Sequence, residues 1–254
     1  VGPSVAPGPW GVPLTGAVAG LGSVSRRHGG GTRWREAPTK AGHGVIGLGC
    51  RGHGSSDKPH DPAAYALEML AGDVRRLLEH LEIETANYLG YSMGAKIGMQ
   101  AMLDFPKRLG RVVLGGIGWG GAFRAAGAIA KALRGGPIES PMAKTFFDFA
   151  VARPSNDLEA LAACILGPQP EPDPAGLAAI KNPVLVVDGD QDDIVTGVDR
   201  LLESITTAKL VMVAGRNHMS AVPSGEFKKA AIELLDGYTD ASAIRAVCRG
   251  TLSA

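Results

Sequence analysis

The chain lacks several things that would announce other functions. Only 5% of its 254 residues are aromatic, and 26 Lys plus Arg nearly cancel 25 Asp plus Glu, leaving a net charge of +1. A balanced chain with so few rings offers neither the basic footprint of a nucleic-acid binder nor the basic face of a membrane-surface helix. No apolar run approaches the ~18 to 20 residues of a membrane span. The short LTGAVAGLG stretch at 14–22 is followed, not preceded, by its arginines, the wrong polarity for a secretory signal. Cysteine is scarce: Cys50, Cys164 and Cys248 are far apart and form no CxxC pair, so they read as reduced, mostly buried thiols. The expectation is a soluble cytoplasmic protein with no nucleic-acid or membrane partner.

Acidic residues are missing altogether before Glu36, and residues 1–31 hold nine Gly and four Pro. Gly and Pro weaken helices and strands alike. This stretch therefore reads as an atypical, poorly ordered leader, with at most a short strand near 16–24. The composition break is read as a shifted frame or a decayed copy over residues 1 to about 40.

From residue 43 the pattern becomes α/β. Short apolar runs at 43–48, 87–92, 111–117, 182–190 and 209–213 read as strands. Amphipathic stretches at 65–83, 95–105, 198–205 and 225–237 read as helices. Strands alternating with helices imply a mostly parallel, doubly wound sheet covered on both faces. Residues 119–181 break this rhythm with Ala-rich helical pieces and the Pro-rich GPQPEPDP. They are expected to form a small helical cap, inserted after the strand at 111–117 into a core of residues 32–118 and 182–237. Such an insert emerges at the carboxyl ends of the strands, where open α/β sheets bind ligands. Residues 238–254 read as a peripheral tail.

The residues that carry chemistry start with GYSMG at 90–94. This matches G-x-S-x-G, a strand-to-helix turn so sharp that it lifts the serine oxygen clear of the sheet. Residues two before and two after the serine pack against backbone and must be small, as Gly90, Gly94 and Ala95 are. A nucleophilic Ser92 needs a base, and the base needs an orienting carboxylate. The strand at 182–190 ends in Asp190 and is followed by Asp192 and Asp193, and the strand at 209–213 is followed by His218. Asp192 is the expected acid, with Asp193 the alternative and Asp190 expected to serve the turn. Of six histidines, His80 falls on a charged helix face, while His43, His53 and His60 lie in or near early loops and read as structural.

Taken together, RGHGSSDKP, GYSMGA, RVVLGGI, PVLVVDGDQDDIV and GRNHMSAV make residues 43–236 resemble the α/β-hydrolase superfamily, nearest to its capped esterase, lactonase and C–C-bond hydrolase branch. The resemblance implies Ser92 as nucleophile, Asp192 as acid and His218 as base, with the Met93 backbone N–H as an oxyanion donor. Gly30, in the His28-Gly29-Gly30 segment, matches the second donor. It also implies acyl transfer on a small carbonyl substrate, with no metal and no organic cofactor. Tyr91, Trp119, Phe123, Phe146 and Phe147 are candidates for an apolar substrate pocket. Two further readings use the same residues: a cofactor-free haloperoxidase or perhydrolase, and a ligand-binding protein that keeps the fold without the chemistry. Arg26 and Arg27 suit a buried central strand poorly, because unpaired buried charge costs several kcal/mol.

Overall fold

The computed structural model describes residues 14–18 (backbone only), 34, 36–120 and 123–237. The first half of the chain runs β1 (Leu14–Val18), α1 (Glu36–Lys40), β2 (Gly44–Leu48), α2 (Leu67–His80), β3 (Ala86–Tyr91), α3 (Met93–Asp104) and β4 (Leu109–Gly115). Four helices follow, α4 (Ala126–Leu133), α5 (Pro141–Val151), α6 (Leu158–Ile165) and α7 (Pro174–Ala178). The alternation then resumes with β5 (Val184–Gly189), α8 (Val198–Ser204), β6 (Ala208–Val213), α9 (His218–Ala221) and α10 (Gly225–Leu235).

The strands pair in the order β2-β1-β3-β4-β5-β6, and every pairing is parallel. Alternate side chains enter opposite cores. Tyr88, Val112, Leu114, Val184 and Val186 pack on one face with α2 and α3. Leu89, Tyr91, Val113, Leu185 and Val187 pack on the other with α10. Both faces being covered, the strands read as continuous apolar runs, as a parallel sheet requires. Phe227 of α10 is wholly buried, its ring 4.7 Å from Trp34 and 5.8 Å from Tyr91. Burying a side chain of that size contributes about 1.5–3 kcal/mol.

The chain leaves β1 towards β2 on one side and returns on the other side with β3. The strand order therefore reverses between β1 and β3, the place where open α/β sheets build their sites. Ser92 follows β3 directly.

The N-terminal segment departs from expectation. Leu14–Val18 occupies a central sheet position inside the stretch read as a leader, and begins two residues ahead of the short strand anticipated at 16–24. The segment LTGAV is free of charge, which an interior position in a sheet demands, whereas Arg26 and Arg27 are not suited to one. Gly30 and the rest of the His28-Gly29-Gly30 segment lie outside the described residues, as do Cys248 and the tail at 238–254.

The loop RGHGSSDKP is braced from within the fold. Arg51 donates to both carboxylate oxygens of Asp73 at 2.7 Å and to the Ala64 carbonyl at 2.9 Å. Helices α4, α5 and α6 enclose a separate apolar cluster around Ile129, Leu133, Leu161 and Ile165, with Phe123, Met142, Phe146 and Phe147 packed against it.

Candidate active site

Ser92 sits at the N-cap of α3 with φ 55° and ψ −115°, a conformation that side-chain-bearing residues rarely adopt. Its N–H donates to the Gly115 carbonyl of β4 at 2.8 Å, and its own carbonyl accepts from Lys96 N–H at 3.1 Å. The turn is so tight that a Cβ on Gly90 would collide with the Gly94 carbonyl. That contact is the physical reason for glycine at position 90.

The serine faces a histidine that a carboxylate holds in place. The His218 Nε2 lies 3.0 Å from the Ser92 Oγ, and its Nδ1 lies 2.7 Å from the Asp192 Oδ2. With Nδ1–H donating to Asp192, Nε2 is left as the acceptor for the serine hydroxyl. The Asp192 side chain is 1% exposed, and its Oδ1 also accepts from the N–H groups of Ile194 and Val195 at 3.0 and 3.2 Å. Asp193 next to it is exposed. Asp190 accepts from Gly215 N–H at 2.7 Å, tying the turn after β5 to the one after β6.

The other described histidines are elsewhere. His43 pairs with Asp236 at 2.7 Å, His53 with the Arg51 carbonyl at 3.0 Å and His60 with Asp157 at 3.0 Å. Burial holds His53 below the ordinary histidine range, opposed by its bond to Arg51, so it is a neutral structural ring. Met93 is the first residue of α3, so its N–H belongs to the first turn, which has no intrahelical acceptor. Helix geometry also turns that end towards negative charge.

A cavity of about 570 Å³ opens over Ser92, Met93 and His218, and Trp119, Phe123 and Phe146 line it together with Met142 and Ile165. Tyr91 and Phe147 do not line it, which corrects their place in the expected pocket. Tyr91 points to the opposite face of the sheet, packs among the residues around Phe227, and donates its hydroxyl to the His218 carbonyl at 2.6 Å. Phe147, next to Phe146 along α5, packs into the apolar cluster of the three helices. Trp119 is held from behind by the Arg200 guanidinium, 4.1 Å from its ring centre.

A hydrogen-bonded Ser-His-Asp chain at a strand-to-helix elbow, on the carboxyl rim of a parallel sheet, invites comparison with known proteins. The family described as alpha/beta hydrolase fold matches residues 27–150. The 3-oxoadipate enol-lactonase 2 of Acinetobacter baylyi is 31% identical over 215 residues, covering 74% of this chain and 77% of that protein. The chain belongs to the α/β-hydrolase-fold family. Among solved α/β-hydrolase structures, the enol-lactonase from Burkholderia xenovorans LB400 is similar at a TM-score of 0.69 and 23% identity, over 91% of this chain and 92% of that one. The bromoperoxidase from Bacillus anthracis is similar at 0.65 and 21%, over 89% and 93%. The family match begins at residue 27, within the stretch read as a shifted frame.

Several residues of this α/β-hydrolase site are invisible to motif reading. Lys96, Cys164 and Gln169 line the cavity, with Lys96 Nζ donating to the Gln169 Oε1 at 2.9 Å. Lys96 is open to discovery, since it stands four residues after Ser92 and so shares its side of the helix. Gln169 comes from the Pro-rich stretch, where no periodicity exists to orient a side chain. Cys164 and Cys50 are buried free thiols, and burial pushes the Cys50 thiol up to about 12. Among the described residues, no three His, Cys, Asp or Glu side chains are grouped as a metal site, and no helix is long and apolar enough to cross a membrane.

Proposed function

We propose that this protein is a serine hydrolase that cleaves a small ester or lactone through an acyl-enzyme on Ser92. The observation that carries the reading is the continuous hydrogen-bonded chain from Ser92 through His218 to the buried Asp192. In the first step His218 takes the Ser92 proton as Oγ attacks the substrate carbonyl. Asp192 stabilises the imidazolium that forms. The same imidazolium then protonates the leaving alkoxide. Water, activated by neutral His218, hydrolyses the acyl-enzyme and restores the serine.

The Met93 N–H is the first oxyanion donor in this reading, and such a donor is worth about 10²- to 10³-fold in rate. Helices α4 to α6 act as a cap whose apolar side chains hold the acyl chain and keep water away from the carbonyl. The 31% identity to an enol-lactonase supports a lactone or ester as the bond cleaved.

Incubation with a fluorophosphonate probe, beside Ser92→Ala, tests the nucleophile. A phosphonyl adduct mapped to Ser92 by mass spectrometry, and absent from the variant, is expected. A folded protein that takes no label would overturn the reading.

A second reading keeps the acyl-enzyme but gives it to hydrogen peroxide, yielding a peracid. The similarity to a bromoperoxidase favours including it. Peracid formation from ester plus peroxide, lost in Ser92→Ala, distinguishes this activity from hydrolysis alone.

A further inference from the structure

The cavity over Ser92 is lined largely by apolar side chains, yet it receives a lysine from the nucleophile's own helix. Lys96 lies four residues beyond Ser92, just over one helical turn or about 6 Å along the axis, on the same face of α3. Its side chain is partly buried and lines the cavity. The ammonium donates to the Gln169 Oε1 at 2.9 Å, and Gln169 lines the same cavity. An ammonium only donates, so this bond fixes the amide orientation and turns its N–H₂ end away from the lysine.

We propose that Lys96, steadied by Gln169, recognises an anionic group on the substrate, and that this group is a carboxylate carried a short alkyl chain away from the carbonyl that Ser92 attacks. The proposal rests on the serine-hydrolase reading and names its substrate class. One ammonium and one amide supply the donors that a single-charge carboxylate needs. A phosphate, with a charge near −2, calls for a richer set of cations.

Other charged groups also face the cavity: Arg124, Glu171 and Asp193, with His218 at its floor. Arg124, Glu171 and Asp193 are all exposed, where water and salt screen them. Lys96 is the lysine drawn into the wall. Burial holds its ammonium below the ordinary lysine range, and a carboxylate seated against it favours the charged form. A neutral substrate gains nothing from that charge, whereas an acidic one gains a charge-assisted hydrogen bond in a partly dehydrated setting.

The test compares p-nitrophenyl hydrogen glutarate with p-nitrophenyl valerate, matched five-carbon acyl chains of which one ends in carboxylate and the other in methyl. The wild type is expected to favour the acidic ester in kcat/KM by about 10- to 100-fold, the range of a charged hydrogen bond. Lys96→Met should bring that ratio close to one, and Lys96→Arg should keep most of it. A wild-type ratio near or below one, or a ratio that Lys96→Met leaves unchanged, overturns the proposal while leaving the hydrolase reading intact.

If neither ester turns over and Ser92 takes no label, the hydrolase reading fails by itself and binding decides the proposal. Calorimetry with glutarate on folded Ser92→Ala protein then shows either binding that Lys96→Met abolishes, which sustains it, or no binding, which ends it.

Discussion

The Tyr91 hydroxyl donates to the main-chain carbonyl of His218 at 2.6 Å, from beneath the carboxyl rim of the sheet that carries Ser92. The residue before the serine thus anchors the backbone of the histidine that meets the serine from above. The ring packs 5.2 Å from the imidazole and 5.8 Å from Phe227. Burial raises the phenol well above its ordinary value, so it stays a donor throughout the working pH range. Tyr91→Phe should cost about 0.5–1.5 kcal/mol of stability for the lost bond. It should also lower kcat severalfold as His218 loosens. Urea melts beside ester kinetics check both effects.

Asp192 and Asp193 are neighbours in sequence but not in placement: Asp192 meets His218, and Asp193 is exposed. Asp192→Asn removes the carboxylate that orients His218 and should lower kcat by about 10⁴-fold, through the wrong imidazole tautomer. Asp193→Asn, at an exposed position, should change it by less than about threefold. Parallel kcat measurements on the two variants decide the assignment, and equal losses would contradict it.

Gly90→Ala puts a methyl group into the Gly94 carbonyl. Overpacking of this kind costs about 1–3 kcal/mol, and here it presses on the backbone of the elbow itself. The expected result is a lower urea midpoint together with loss of fluorophosphonate labelling at Ser92. Normal labelling would show that the elbow tolerates the side chain.

Asp188, at the end of β5, is 1% exposed, and its Oδ1 accepts from Ile117 N–H at 2.9 Å. Burial pushes its carboxyl up to about 7, opposed by the Ile117 bond and reinforced by the charge on Asp192. Between the unfolded value near 4 and about 7, the folded state holds a proton that the unfolded chain has lost. Stability therefore falls as pH rises through that window, by at most about 1.4 kcal/mol per pH unit from this group. Asp188→Asn removes the titrating group. The difference in urea stability between wild type and variant should move steadily in the variant's favour from pH 4.5 to 7.5 and level off above. A difference that stays constant across the range would refute the shift.

Local patterns make much of the architecture readable in the amino-acid sequence. Apolar runs of strand length alternate with helical periodicity from residue 43 onward because each element must bury its own face. The strand read at 182–190 and the helices read at 65–83 and 95–105 correspond to β5, α2 and α3, which span 184–189, 67–80 and 93–104. The GYSMG turn, with an acid after one later strand and a histidine after the next, is equally legible. Those residues sit at strand ends that a parallel sheet collects on one rim.

Tertiary structure decided what periodicity leaves open. Leu14–Val18 lies in a Gly- and Pro-rich stretch that does not announce a central strand, and only pairing with β2 and β3 makes it one. Tyr91 and Phe147 are as eligible for the cavity as Phe146 by residue type, yet a strand's alternation sends Tyr91 beneath the sheet and helix packing draws Phe147 aside. Lys96 and Gln169 are 73 positions apart, and they meet because α3 and the Pro-rich segment close on the same space. The sequence by itself determined the fold class and the order of the chemistry-bearing residues, since both are written in short-range spacing. Which side chains face one another across the cavity depends on long-range packing, and no stretch of the chain encodes that alone.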